Sequence, residues 1–417
     1  MFQLDELMQN ELIELTQAMI RIPSFTGEEK TLADFILAKL KEYKVDKAFI
    51  DGIGNVVGLV EGSRPGPTVI LNGHLDIVPP GKIDNWNGYD PFGAEIDDKG
   101  NIHGRGASDL KGGLSVQLYL MKLFQYLKNN GKKLSGNLVF TAVVHEEAAE
   151  MFGAEYLFTK TLPEAQITCD VVFLSEPTGL NVVLGQRGKV EIVVKTYGRS
   201  AHSSRPEAGI NALEKMVPIL EYVFGSAASN FESHELLGRS SITITNLVCS
   251  PGILSILPDE CEISIDRRYM PNQDVSELID EFESLFSEIR KKDPQFDAVV
   301  YPRKIVEVSY TGYQKEVQKY HPPWITPFDH PFVKKTMTAL TKIGQTPKIK
   351  YWQFGTDGSM TAATLGIPTI GYSGTEEKYA HTPEEQVNIK MMLKSLEGYF
   401  AIITEILGED SGDTVKF

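Results

Sequence analysis

The sequence predicts a two-domain α/β fold in which a smaller α+β lid domain is inserted into the larger domain. In the first half of the chain, strand-like runs alternate with helical stretches, a pattern typical of a mostly parallel sheet covered by helices. After Gly188 the predicted elements follow the order βαββαβ, which is that of a ferredoxin-like motif. With 417 residues and 42% hydrophobic content, the chain is long enough to bury two cores.

The larger domain begins with helical apolar spacing over residues 3–19. Thr26 and Glu29 predict a capping box that opens a second helix ending at Leu40. Further along, the apolar pattern predicts a helix at 114–127 and strands at 55–60, 67–71, 137–144 and 171–174.

The lid is predicted from a second series of elements. Asn211 is expected to cap its first helix. The elements are a strand at 189–196, a helix at 210–224, strands at 241–247 and 260–265, a helix at 275–289 and a strand at 298–301. The stretch 310–329 has no clear period, so the return connection is placed there, before a helix at 331–343. We therefore predict a catalytic domain of residues 1–187 and 316–417 and a lid of residues 188–315.

The first of five segments with metal-type side chains is the end of the strand that carries His74 and Asp76. On an extended chain, residues two apart point to the same side. A metal-binding histidine needs a neighbour that fixes its tautomer and ring orientation. The pair therefore predicts a ligand, His74, and its orienting group, Asp76.

The second segment places Asp109 in a glycine-rich turn before the helix at 114–127. Glycines let the backbone approach a ligand closely, and a carboxylate with two oxygens can bridge two cations. The alternative is a helix N-cap, which Ser108 and Asp109 would both suit. A phosphate-binding loop is disfavoured because the Gly-Lys-Ser/Thr ending is missing.

The third segment carries Glu146 and Glu147 after a predicted strand. Adjacent carboxylates there repel unless a cation or proton lies between them. One can ligate a metal while the other takes a proton from water; the alternative is an exposed acidic loop. Glu176 and His381 lie in the fourth and fifth segments.

One candidate ligand from each segment gives two imidazoles and three carboxylates, which suits two divalent ions. The five residues are His74, Asp109, Glu147, Glu176 and His381.

Together these motifs resemble the M20 metallopeptidase family, which includes acetylornithine deacetylase, succinyl-diaminopimelate desuccinylase, aminoacylase and glutamate carboxypeptidase. The resemblance covers nearly the whole chain. Segments 185–188 and 264–268 look closest to a bacterial branch labelled as selenium-metabolism-linked hydrolases. The resemblance implies a zinc-exopeptidase-like catalytic domain with an inserted lid through which two chains form a homodimer.

The resemblance also implies a role for each matching residue. One zinc would be held by His74 and Glu176 and the other by Glu147 and His381, with Asp109 bridging the two. Asp76 would orient His74, and Glu146 would be the general base. The substrate would be contacted by Arg268 at its carboxylate, by the loop containing Thr356, and by His202, which reaches the active site of the other subunit.

Three residues depart from the family pattern. Ser255 stands where relatives often have Asn, and a hydroxyl offers one donor rather than two, so substrate contact there is in question. His145 stands where Asp is common, and Glu150 adds a carboxylate near the mouth of the site. These departures leave the metal set intact and concern specificity. The remaining histidines are predicted to be structural or surface residues: His103, His234, His321 and His330.

We therefore predict a two-zinc hydrolase, with cobalt or manganese as possible substitutes, that cleaves the linear amide bond of an N-acyl amino acid. The alternative within the enzyme class is a metallo-exopeptidase acting on short peptides. A non-catalytic metal-binding protein is the remote alternative, because its signature would be degenerate ligands.

Composition and charge restrict the expected partners and cellular location of the protein. The formal charge of −15 argues against nucleic-acid and anionic membrane partners. No apolar run approaches the ~20 residues that span a bilayer, and the N-terminus lacks a signal-type segment. The three cysteines are widely spaced, which disfavours a disulfide framework. These observations favour the cytoplasm.

Overall fold

The computed structural model describes residues 4–148, 151–227, 231 and 233–408. Its α-helices are α1 (Glu6–Ile20), α2 (Lys30–Glu42), α3 (Gly112–Asn129), α4 (Phe152–Tyr156), α5 (Leu162–Glu164), α6 (Ala212–Tyr222), α7 (Val275–Lys292), α8 (Pro331–Lys342) and α9 (Ile389–Leu407). Within the described residues, no helix combines the length and the apolar character needed to cross a bilayer.

The strands are β1 (Lys47–Ile50), β2 (Val56–Val60), β3 (Arg64–His74), β4 (Asn101–His103), β5 (Ser135–Val143), β6 (Val171–Leu174), β7 (Val182–Gln186), β8 (Gly188–Tyr197), β9 (Ser233–His234), β10 (Gly238–Arg239), β11 (Ser241–Ser250), β12 (Glu260–Tyr269), β13 (Asp297–Pro302), β14 (Lys304–Val308), β15 (Gln314–Gln318), β16 (Tyr320–His321), β17 (Trp324–Ile325), β18 (Ile349–Trp352), β19 (Thr369–Gly371) and β20 (Gln386–Asn388). The predicted strands and helices of both domains are present, with ends shifted by a few residues.

The main sheet has the strand order β1-β2-β5-β3-β6-β19-β7-β17, with β18 beside β7. Its central strands β5, β3, β6 and β19 run parallel to one another. Their carboxyl ends therefore meet at one edge of the sheet, where open α/β folds place their ligand sites.

Both faces of the main sheet are buried, because successive side chains of a strand point to opposite faces and each face packs in its own apolar core. Val69 and Leu71 of β3 belong to a core that includes residues of α1, α2, α3 and α9. Ile70, between them, belongs to a second core on the other face, which includes Trp352. This two-sided burial explains why the strands consist of nearly continuous apolar runs.

The lid is an antiparallel sheet of order β11-β12-β8-β13, with β16 pairing β8. This is the strand order of a ferredoxin-like motif, so the predicted βαββαβ unit is confirmed. Asn211 caps α6, as predicted, by accepting a hydrogen bond from the Leu213 amide at 3.0 Å. The helices α6 and α7 contribute Met216 and Phe282 to a separate core with the sheet.

The predicted capping box at Thr26 and Glu29 is wrong. The Thr26 hydroxyl donates to the Asp76 carboxylate at 2.8 Å, and Glu29 accepts from the Gly27 and His145 amides at 3.0 and 3.2 Å. Helix α2 begins at Lys30 with no side-chain cap. The motif failed because both side chains have partners in distant loops, which local spacing does not encode.

The return connection is also more structured than expected. The stretch 310–329 contains β15, β16 and β17, which are two to five residues long, too short to show a period. The hairpin β14–β15 packs on the larger domain, where the Tyr310 hydroxyl donates to the Gly54 carbonyl at 2.9 Å. The boundaries at 187/188 and 315/316 remain predictions; the hairpin spans the second of them.

Replacing Phe282 with alanine tests the independence of the lid core. The side chain is buried and contacts Phe286 and Tyr222, so Phe282→Ala is expected to lower the free energy of unfolding of the lid by about 3–5 kcal/mol. Denaturant unfolding measures this change. The matched control is Val306→Ala, which removes a side chain that is 65% exposed and should change stability by less than about 0.5 kcal/mol. Equal effects of the two changes would contradict the description of this core.

Candidate active site

Four of the predicted site residues lie at the carboxyl edge of the main sheet. His74 is the last residue of β3. Glu146 and Glu147 follow the end of β5, and Glu176 follows the end of β6. Because β3 lies between β5 and β6 and is parallel to both, the three strand ends bring these side chains together.

Asp109 and His381 come to the same place from loops. The Nε2 atom of His74 lies 3.2 Å from one oxygen of Asp109, and that of His381 lies 3.3 Å from the other. His381 is also 3.1 Å from Glu147, and His74 is 3.7 Å from Glu176. Asp109 thus stands between the two imidazoles, the position predicted for a bridging ligand.

The two non-catalytic alternatives for these segments, a helix N-cap and an exposed acidic loop, are not observed. Ser108 does not cap α3; its hydroxyl donates to the Glu376 carbonyl at 2.8 Å and accepts from the Glu376 amide. Glu146 and Glu147 are not in an exposed acidic loop, because only 10% and 8% of their side-chain surfaces are exposed.

Asp76 lies beside His74, as predicted, but its carboxylate is not the group that contacts the imidazole. The Nδ1 atom of His74 lies 2.9 Å from the main-chain oxygen of Asp76 and 3.7 Å from its carboxylate. The carboxylate instead accepts hydrogen bonds from the backbone amides of Glu146 and Glu147 at 3.0 and 3.1 Å. Asp76 therefore orients the histidine through its backbone and holds the two glutamates through its side chain.

Glu385 is a positioning residue that the sequence analysis missed. Its fully buried carboxylate accepts from the backbone amides of Ser108 and Asp109 at 3.0 and 2.9 Å and pairs with Arg105. It ties the loop that carries His381 to the turn that carries Asp109. Nothing in the sequence distinguishes Glu385 from the adjacent, exposed Glu384.

The electrostatics of the cluster follow from burial of many like charges. Burial, together with the charge of Asp109, raises the pKa of Glu176 and Glu147, and burial raises that of Glu146. Burial alone would lower the pKa of His74, but the hydrogen bond to Asp109 and the nearby glutamates raise it well above its usual range. Hydrogen bonds to Asp109 and Glu147 raise the pKa of His381 to about 10.

The donor set fits divalent metal ions. Two groups of ligand atoms lie within 4.8 Å of one another: His74, Glu146 and Glu176, and His74, Asp109 and Glu147. Imidazole nitrogens and carboxylate oxygens are the usual ligands of zinc apart from thiolates. Two dications would also neutralise the negative charge of the carboxylates, which in the absence of metal has to be neutralised by bound protons. The first group shows that Glu146 is close enough to be a ligand itself.

The cluster forms the floor of a cavity of about 340 Å³, a size typical of small-molecule sites. Its lid side carries a row of three residues that face one another across strands: Arg268 on β12 pairs with Lys189 on β8, which pairs with His321 on β16. His321 is therefore a buried residue of the cavity wall rather than only a structural one. Burial and the charges of Lys189, Lys319 and Arg268 lower its pKa to about 3, so the ring is neutral.

Arg268 lines this cavity, as its predicted role requires. Asp266 accepts from its Nε and one Nη at 2.8 and 3.2 Å, and the Gln353 carbonyl accepts from the other Nη at 3.2 Å. Of the five guanidinium hydrogens, these bonds use three and hold the group in a fixed orientation. Two remain for a ligand.

The other predicted site residues lie outside the cavity. His202 and Ser255 are exposed neighbours on the lid, where the Ser203 amide donates to the Ser255 carbonyl at 3.0 Å. Thr356 is fully buried, its hydroxyl donates to Gln186 at 2.6 Å, and it does not line the cavity, whereas its neighbour Gly355 does. Glu150 lies outside the described residues.

His145 occupies a buried position behind the glutamates. Its backbone has a positive φ of 57°, and its ring lies 3.3 Å from Glu307 and 3.9 Å from Glu29. The side chain therefore contacts the β14–β15 hairpin and does not line the cavity. Any effect of His145 on specificity would be indirect.

The model of peptidase family M20/M25/M40 matches residues 70–405. The uncharacterized protein YgeY of Escherichia coli K12 is 31% identical over 381 residues, which cover 91% of this chain and 90% of YgeY. Succinyl-diaminopimelate desuccinylase of Nautilia profundicola is 23% identical over 399 residues, which cover 94% of this chain and 99% of that enzyme.

Solved structures share the fold. Aminopeptidase PepT from Bacillus cereus has a TM-score of 0.72 at 21% identity and covers 95% of this chain and 98% of its own. The Bacillus subtilis YXEP protein, a dinuclear metal-binding peptidase from the M20 family, has a TM-score of 0.68 at 15% identity and covers 96% and 99%.

Replacing Asp76 with asparagine tests its place behind the glutamates. An amide has one acceptor oxygen for the three hydrogen bonds that the carboxylate receives. We therefore expect Asp76→Asn to weaken metal binding by roughly 10–100-fold, measured by calorimetric titration. Asp84→Asn, at an exposed position, is the matched control. Unchanged affinity in Asp76→Asn would contradict the assignment.

Metal binding is expected to release protons at neutral pH. The raised pKa values of His74, His381, Glu146 and Glu176 mean that these groups together hold more protons than usual at pH 7, and ligation requires deprotonated side chains. Apparent affinity should therefore rise with pH. Titration of metal in buffers of different ionisation enthalpy measures the released protons, and heats that are independent of the buffer would contradict this.

Proposed function

The chain belongs to peptidase family M20/M25/M40, a family of metal-dependent amide and peptide hydrolases, and we propose that it is a di-zinc hydrolase of N-acyl amino acids. The observation that carries the proposal is the meeting of His74, His381 and the buried carboxylates below a wall that contains Arg268. A metal-activated water at the floor and a cationic group on the wall suit an amide next to a carboxylate.

The metal ions would be held by the residues at the floor of the cavity. We assign His74 and Glu176 to one ion, Glu147 and His381 to the other, and Asp109 to both; the distances around Asp109 support this division. When bound, the ions supply a Lewis acid for the carbonyl and lower the pKa of water towards ~7. Zinc is proposed because of the mixed imidazole and carboxylate set; cobalt or manganese would suit the same ligands.

Glu146 is proposed as the general base. Its carboxylate lies 4.0 Å from His74 Nε2, whereas those of Asp109 and Glu176 lie 3.2 and 3.7 Å from the same atom. Its backbone amide donates to Asp76. Burial raises its pKa, which brings the carboxylate closer to the pKa that suits proton transfer at neutral pH. It would take a proton from the attacking water and return it to the leaving amine.

Arg268 is proposed to bind the substrate carboxylate. Its two remaining guanidinium hydrogens match the two oxygens of a carboxylate, and Asp266 fixes the plane in which they point. Lys189 and the neutral His321 lie beside it in the cross-strand row. This wall orients the acyl amino acid so that its amide lies over the floor.

His202 is proposed to act in the cavity of a second chain. Its Nδ1 accepts from the Ser204 amide at 3.1 Å, so the neutral ring carries its proton on Nε2 and can donate to a developing oxyanion. The ring is exposed and does not line the cavity of its own chain. Ser255 is proposed to contact substrate from the same surface, and Thr356 to act only by positioning its loop.

The exposed face of the lid supports a homodimer. The strand β11 is the edge of the lid sheet, and Val248 and Leu254 nearby are 55% and 99% exposed. An edge strand with unpaired backbone groups and apolar side chains favours pairing with another chain. Small-molecule substrates, a negative charge of −15 and unpaired cysteines support a cytoplasmic enzyme that binds neither nucleic acid nor membrane.

The substrate class separates two versions of the proposal. The desuccinylase relative favours a deacylase, and the likeness to PepT keeps an exopeptidase as the second candidate. The test is a panel of acetylated, succinylated and carbamoylated amino acids and dipeptides, offered to metal-stripped and reloaded protein. We expect an N-acyl amino acid to be preferred and activity to return near two metals per chain. Metal binding without turnover of any substrate would contradict the proposed substrate class, indicating an acyl group outside the panel first and the non-catalytic alternative second.

Replacing Glu146 with glutamine tests its role. Because an amide cannot accept the proton, Glu146→Gln should lower kcat by at least about 100-fold while both metals remain bound. Metal analysis and steady-state kinetics measure the two effects. Glu384→Gln, at an exposed site in the His381 loop, is the matched control. Loss of one metal from Glu146→Gln would identify Glu146 as a ligand instead.

A charge on the lid edge tests the dimer. Val248→Lys is expected to give monomers in analytical ultracentrifugation, because it places charges at the paired edges. The monomer should still bind metal but lose activity, since it lacks the second chain's His202. Val306→Lys, which adds the same charge at another exposed valine, should remain dimeric and active. A fully active Val248→Lys monomer would contradict the assignment of His202.

A further inference from the structure

Two cysteines face each other across neighbouring strands of the lid. Cys249, near the end of β11, pairs directly with Cys261 on β12, and their Sγ atoms are 3.1 Å apart. Both are free thiols, since a disulfide bond is about 2.0 Å long. A movement of about 1 Å would therefore bring the sulfurs to bonding distance.

The two thiols differ in access. Cys249 is partly exposed, whereas Cys261 is fully buried. Burial and the contact with Cys249 raise the pKa of Cys261 to about 12. Because the thiolate is the reactive form, Cys249 is the residue that meets an external reagent first, and Cys261 is placed to react only with a group already attached to Cys249.

We propose that Cys249 and Cys261 form a reversible intramolecular disulfide by exchange with a low-molecular-weight disulfide such as oxidised glutathione. Cys249 attacks one sulfur of the reagent, forms a mixed disulfide and releases one thiol. Cys261 then attacks Cys249 Sγ and releases the second thiol. The protons lost by the two cysteines are taken up by the two released thiolates, so one small disulfide is reduced as one protein disulfide forms.

The bond would close the base of the loop 251–259, which connects β11 to β12. This loop carries Ser255, and the Ser203 amide and the Ala201 carbonyl on the His202 segment bond to Ser255 and Leu257 at 3.0 and 2.9 Å. A link at the base of the loop would restrict this surface of the lid. The inference concerns thiol chemistry alone and holds whether or not the proposed hydrolase activity is correct.

The test uses the full chain, reduced and then incubated with oxidised glutathione. The reaction is quenched in acid, and the remaining thiols are alkylated after denaturation. In a non-reducing peptide map we expect the peptides of Cys249 and Cys261 to be joined, with a mass lower by two hydrogens per chain, and dithiothreitol to restore both thiols. Cys169 should remain outside the link.

Two variants complete the design. Cys169→Ser should still form the link, whereas Cys249→Ser should leave Cys261 as a free thiol. The wild-type map decides the question even if a variant folds poorly. Recovery of separately alkylated Cys249 and Cys261, a stable glutathione adduct on Cys249, or a link between two chains would overturn the proposal.

Discussion

Repulsion among buried carboxylates is the constraint on which the rest of the site depends. Asp109, Glu146, Glu147 and Glu176 meet at the edge of the main sheet with most of their surface removed from water. Burial of ionised groups is costly unless cations or protons compensate them. The fold therefore has to hold these side chains together against their mutual repulsion until metal ions bind.

The structure meets this constraint with two further carboxylates that do not enter the cavity. Asp76 accepts the backbone amides of Glu146 and Glu147, and Glu385 accepts that of Asp109. Each fixes a loop by its backbone and leaves the side chains of the proposed ligands free to face the cavity. Mutation of such supporting groups typically lowers metal affinity or activity by about 10–100-fold.

The sequence was sufficient for most of the fold because the central strands are buried on both faces and show as apolar runs. It also predicted residues that the structure brings together, because His74, Glu147 and Glu176 lie at or just after the ends of such runs. It failed where the controlling contacts are distant in sequence. Thr26 has a local motif but a remote partner, Glu385 resembles its exposed neighbour, and His321 reaches the cavity through a two-residue strand that no pattern reveals.

The most direct test of the account is a crystal structure of the zinc-loaded protein with anomalous scattering at the zinc edge. We expect two ions, one held by His74 and Glu176 and the other by Glu147 and His381, with Asp109 contributing to both and Glu146 bound to neither. A single ion, or Glu146 as a ligand in place of Glu176, would contradict the proposed division of the site into ligands and base.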